Sequence, residues 1–103
     1  MYKGTTPTFV FVLDSPLDLT NIDQVWITIR DGAGIKHNWD ITRVELDNTK
    51  KTVELYLTQE ETLEMAPGLG AVQIRFLTGD GAAFTTQREM VKISATLRGG
   101  VIE

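Results

Sequence analysis

Alternation of apolar and polar residues runs through most of this chain. It is clearest in the stretch Val-Glu-Leu-Tyr-Leu-Thr-Gln-Glu-Glu-Thr-Leu-Glu-Met, residues 53–65. Val53, Leu55 and Leu57 share one side and Glu54 and Tyr56 the other, the period of two that marks a half-buried strand. Thr58 stops the alternation. Its hydroxyl can accept from the amide three residues on, and Glu61 can reach back to the amide of Thr58. This spacing predicts a capping box and one or two turns of helix. Glu60 and Glu61 place negative charge in the first turn, where the positive helix end favours it. Leu63 and then Met65 are the candidate inward positions. Pro67 and Gly68 are expected to end the helix, because proline cannot continue it and glycine permits the reversal. The stretch reads as a strand running into a helical crossover that plugs one end of a β-fold.

The other segments repeat the strand signal. Residues 5–13 form a first strand with Phe9, Phe11 and Leu13 on one face and Val10 and Val12 on the other. Two apolar faces imply burial on both sides or a partner, and Pro7 implies a late start or an edge position. Asp14-Ser15-Pro16 reads as a turn. Residues 20–23 read as a short turn capped by Thr20. In residues 24–30, Val25, Ile27 and Ile29 point inward, and Gln24, Trp26, Thr28 and Arg30 outward. Asp31-Gly32-Ala33-Gly34 is a hairpin signal. Residues 35–42 follow, with Ile35, His37, Trp39 and Ile41 on one face, and residues 43–46 are expected to extend that strand after an irregularity. Residues 47–51 form a polar turn. Beyond Gly68, residues 71–77 are a strand with Val72, Ile74 and Phe76 inward. Thr78-Gly79-Asp80-Gly81 is the strongest hairpin turn, since its glycines supply positive φ. Residues 82–87 return with Phe84. Val91, Ile93, Ala95 and Leu97 then alternate with polar neighbours, and the shift of parity at Arg88-Glu89 marks a bulge or a change of sheet. Residues 98–103 read as a flexible tail ending in Val101-Ile102-Glu103.

About seven short strands with one helical interruption predict an all-β fold. The expected form is an antiparallel β-sandwich, immunoglobulin-like in general architecture, over residues 1–103 as a single domain. The strand order is not derivable from the alternation.

The totals narrow the function. A chain of 103 residues suits one domain. At this size roughly 65% of the unfolded surface is buried, enough for a modest core without staples. The absence of cysteine removes disulfides, thiolate nucleophiles and cysteine metal sites, and fits assembly in a reducing cytoplasm. The net charge is −4 and the pI near 4.9, and Lys50-Lys51 is the longest basic run, which argues against nucleic-acid binding. The first residues lack an apolar signal core, and no apolar run approaches the roughly 20 residues that span a bilayer. The chain is expected to bind no membrane and to use no leader of its own.

No catalytic or metal constellation stands out. His37 is the one histidine, and a histidine base needs a nucleophile and an orienting partner; its row with Ile35 and Trp39 reads as a half-buried strand position. Glu60, Glu61 and Glu64 are explained by the helix end, and Asp31, Asp47 and Asp80 by turn chemistry rather than a calcium loop. Gly68, Gly70, Gly79 and Gly81 do not form a phosphate loop. Neither cofactor, metal nor enzymatic activity is expected. Outward Trp26 and Tyr56 could stack on a sugar ring or join a protein interface, where aromatics are enriched; ordinary packing is the default for either one.

Several pieces taken together resemble a phage family. They are Tyr2-Lys3-Gly4-Thr5-Thr6-Pro7-Thr8-Phe9; Leu17-Asp18-Leu19-Thr20 ahead of Val25-Trp26-Ile27-Thr28-Ile29; Leu57-Thr58-Gln59-Glu60-Glu61-Thr62-Leu63; and Val72-Gln73-Ile74-Arg75-Phe76 with Gly79-Asp80-Gly81. Their order is similar to small tail and baseplate proteins of phages and prophages of Gram-positive bacteria, and to the N-terminal domain of the phage baseplate upper protein. The resemblance implies a structural subunit of a virion tail or baseplate. It would be made in the bacterial cytoplasm, form homo-oligomers, and contact other tail and baseplate proteins. The expected interface residues are Phe9, Val10, Phe11, Val12, Trp26, Tyr56, Val101 and Ile102. A carbohydrate- or host-surface-binding module resting on Trp26 and Tyr56 is the alternative.

Overall fold

The structure, a computed structural model, describes residues 1–13, 18–86, 88–96 and 100–102. The expected turn at residues 14–16 lies outside them, as do Leu17, Gln87, Leu97, Arg98, Gly99 and Glu103. Along the chain run β1 (Thr8–Val12), a 3₁₀ turn (Leu19–Asn21), β2 (Ile22–Arg30), β3 (Lys36–Trp39), a second 3₁₀ turn (Ile41–Arg43), and β4 (Val44–Asp47). Then come β5 (Thr52–Tyr56), α1 (Gln59–Leu63), β6 (Gly68–Thr78), β7 (Ala83–Thr85) and β8 (Glu89–Ile93).

These strands make an all-β antiparallel sandwich. The small sheet has the order β1-β5-β4; the large sheet has β3-β2-β6, with β7 and β8 sharing the far edge of β6. The chain crosses between sheets from β1 to β2, from β3 to β4 and from β5 through α1 to β6. Val25, Ile27 and Ile29 of β2 and Val72, Ile74 and Phe76 of β6 close over Val53, Leu55 and Leu57, with Trp39, Met65 and Ile93 completing one core. The inward positions read from alternation in these strands are the buried ones.

Four local readings change. β1 begins at Thr8, not residue 5, because Pro7 has no amide to donate; its carbonyl accepts from Leu57 N at 3.0 Å instead. The turn after residue 17 is capped by Asp18 rather than Thr20. The Asp18 carboxylate accepts from the amide and hydroxyl of Thr20 at 3.0 and 2.7 Å, a reach the shorter threonine hydroxyl does not match. Residues 43–46 do not extend β3. Asp40 accepts from the amide and hydroxyl of Thr42, winds residues 41–43 into a 3₁₀ turn, and delivers β4 to the other sheet. Ile35, read as the first residue of the strand and in the same row as His37 and Trp39, is exposed in the β2–β3 turn.

Two open readings close. The capping box forms as spaced: Glu61 N donates to Thr58 Oγ1 at 3.3 Å and Thr58 N to Glu61 Oε1 at 2.9 Å, although the helix ends at Leu63, before Pro67. The parity shift near residue 88 is a bulge and not a change of sheet. Thr85 lies opposite Arg75 and Glu89 opposite Val72, a slip of one residue along the same edge of β6. Thr86 fills the gap, its hydroxyl accepting from Ile74 N at 3.0 Å and its carbonyl from Gln73 Nε2 at 2.9 Å.

Candidate functional site

Two polar clusters stand apart from the free surface, one buried around Asp31 and one half-exposed around Glu61. Asp31 is 1% exposed. Its carboxylate accepts from Ala33 N at 2.9 Å, Ile35 N at 3.1 Å and Ala66 N at 3.1 Å, and lies 2.9 Å from His37 Nε2. The His37 bond, ahead of burial and aided by those amides, holds this carboxyl well below the usual range. The cluster ties the β2–β3 turn to the segment between α1 and β6. His37 therefore has the orienting acid of a catalytic pair, but among the described residues no hydroxyl is bonded to it. Beside it, Trp39 stacks on the His37 ring at 6.5 Å and donates from Nε1 to Glu61. Arg43 grips both Glu61 oxygens at 2.8 and 2.7 Å. That fork lowers the Glu61 pKa to about 2. Asp31, His37, Trp39, Glu61 and Arg43 are thus satisfied as an internal brace. Among the described residues no group of three or more histidines and acids could hold a metal ion, and no helix is long and apolar enough to cross a membrane.

The expected interface residues fall into three groups. Phe9 and Phe11 turn toward the core, half-buried, with rings stacked at 6.0 Å. Val10 and Val12 point out from the same strand, 53% and 74% exposed. β1 pairs with β5 on one side, and among the described residues no strand pairs with its other side. Tyr56, 54% exposed, shares this outer face, opposite Thr8. Trp26, 46% exposed, lies opposite Arg75 on the outer face of the large sheet. The two aromatics therefore stand on opposite sides of the sandwich and cannot stack on one sugar. Val101 and Ile102 are exposed, and the backbone of Ile102 is held by the Gln59 amide: Ile102 N donates to Oε1 at 2.9 Å, and Nε2 donates to Ile102 O at 3.2 Å.

Strand register also gathers charges that the sequence scatters. On the outer face of the large sheet, Arg30 lies directly opposite Lys36, Trp26 opposite Arg75, and Leu69 opposite Lys92. Arg30, Lys36, Arg75 and Arg88 line an open trough of about 300 Å³. Thr28, Asn38 and Gln73 also line it, and no carboxylate does. On the outer face of the small sheet, Glu45 lies directly opposite Glu54, with Asp47 two residues along. Like charges placed directly across a ladder are destabilising. Each face carries such a pair, and the two faces have opposite sign. No basic run announces the first face, because its members come from β2, β3, β6 and the β7–β8 bulge. The signal available in the sequence was the outward parity of Arg30, Lys36 and Arg75.

No family model, no curated protein and no solved structure matches the chain.

Proposed function

We propose that this chain is a non-enzymatic structural component of a bacteriophage or prophage tail or baseplate, made in the bacterial cytoplasm and acting through protein–protein assembly. The observation that carries the assembly reading is β1. Its sequence Thr-Phe-Val-Phe-Val holds no charge and no proline, yet one whole edge of it is unpaired among the described residues and its outer side chains are Val10 and Val12. Edge strands that stay solitary are guarded by lysine, proline, bulges or a covering segment. An unguarded edge suits a strand or surface of a neighbour. The ordered motifs that resemble those of tail and baseplate proteins suggest the setting.

The test is to mix the purified chain with candidate tail proteins from the same genome and measure mass in solution by light scattering after gel filtration. A self-associated species or a mixed complex is expected. A strict monomer that binds none of them contradicts the reading. A second reading, a glycan-binding module, is favoured by Trp26 alone, since it lies opposite Arg75, which lines a trough of amides and guanidinium groups. Binding of cell-wall glycans that Trp26→Ala abolishes would support it; silence across such glycans removes it.

A further inference from the structure

We propose that copies of this chain stack head to tail, the acidic outer face of the small sheet on one copy seated against the basic outer face of the large sheet on the next. This deepens the assembly reading and rests on it. The two faces are complementary in charge. Arg30 and Lys36 are directly opposed on neighbouring strands, and so are Glu45 and Glu54. Each pair sits directly across one ladder, at the roughly 4.5–5.5 Å of opposed antiparallel residues, so a pair of one sign can face the pair of the other. Arg75, Arg88 and Lys92 extend the positive side; Asp47 extends the negative side.

Each like-charge pair costs folding stability in the lone protein, and docking onto the opposite pair relieves both. Among the described residues the ion pairs within the chain are Asp31–His37 and Arg43–Glu61, so the trough cations have no carboxylate of their own. Trp26 on one face and Val10, Val12 and Tyr56 on the other add the apolar contact that charge alone does not provide. The chain's net charge of −4 repels at long range. Contact between the faces acts well inside the Debye length of about 10 Å at 0.1 M salt, so the local attraction governs docking. A free acidic polymer would also satisfy the trough, but would leave Glu45 and Glu54 unrelieved. A second copy answers both faces at once. Because the faces lie on opposite sides of the sandwich, the contact is heterologous and propagates into a ring or a row.

Sedimentation velocity on the full chain tests this with two charge-swapped variants, Lys36→Glu with Arg75→Glu, and Glu45→Lys with Glu54→Lys. Wild type is expected to self-associate at low salt and dissociate at high salt. Each variant alone is expected to associate at least about tenfold more weakly. An equimolar mixture of the two is expected to assemble again, since each then meets a face of opposite sign. Circular dichroism checks that both are folded, and recovery in the mixture is itself independent of any loss of stability. Wild-type association that both variants retain would overturn the stacking while leaving the assembly reading in place. A wild type that is monomeric at low salt but binds a heparin oligosaccharide through Arg75 would overturn it in favour of an acidic polymer. A monomer that binds neither itself nor tail proteins overturns stacking and assembly reading together.

Discussion

A buried carboxylate persists only where other groups solvate its charge, and Asp31 receives three amides and one imidazole nitrogen. Replacing it with asparagine keeps the shape, removes the charge and turns one oxygen into a donor facing donors. Asp31→Asn is expected to lower stability by about 2–4 kcal/mol, read from the urea midpoint. An unchanged midpoint would show that the brace is dispensable. Glu61 gives a pH signature. Its folded pKa, about 2, lies below its ordinary value of 4.5 because Arg43 grips it. A depressed carboxylate stabilises the fold above its unfolded pKa, and that contribution is lost as pH falls through the folded one. The stability difference between wild type and Glu61→Gln should therefore be full above pH 4.5 and shrink toward pH 2. Its size is about 1–2 kcal/mol, discounted for the solvent around this half-exposed pair. A difference that stays constant across that window would contradict the assignment. The sequence carried the capping role of Glu61 in its spacing from Thr58. It did not carry the Arg43 fork or the Trp39 bond, because both partners come from a 3₁₀ turn and a strand far along the chain.

Elements that depend on local chemistry were legible; those that depend on a change of sheet were not. The hairpin turns at residues 31–34 and 78–81 and the helix start at Thr58 all follow from residues adjacent to one another. The switch from β3 to β4 shifts the alternation by one residue between Ile41 and Val44, which a single strand with an irregularity would show as well as two strands in different sheets. Close approach of backbones was equally hidden. A Cβ added at Gly70 would lie 2.0 Å from the carbonyl oxygen of Arg30. Gly70→Ala is expected to force β2 and β6 apart and cost at least about 2 kcal/mol in a thermal melt. Gly34→Ala, strained by a φ of +85° but with open space around it, should cost less; the reverse order would be evidence against the β2–β6 contact as described. At the β1 edge, Val12→Lys adds the guard that natural edges carry. It should leave the melting temperature nearly unchanged and reduce self-association. If association is unaffected, β1 is not part of the contact.

The whole molecule is a flat body, 46 × 27 × 19 Å, so its two outer sheet faces are its largest surfaces. Alternation foretold that these faces would be polar. It did not foretell that one would collect Arg30, Lys36, Arg75, Arg88 and Lys92 while the other collected Glu45, Asp47 and Glu54, because that sorting is a property of register between strands distant in sequence. Charges separated in this way, and an apolar edge that is unpaired among the described residues, are the features on which the proposed assembly rests. Hydrogen exchange measured by mass spectrometry over a concentration series, with and without candidate tail proteins from the same genome, tests that proposal. Residues 8–12 and 44–56 are expected to gain protection as concentration rises or as the neighbour is added, while core strands β2 and β6 stay protected throughout. Exchange in residues 8–12 that is fast and identical under every condition would contradict the claim that this sandwich works by being covered.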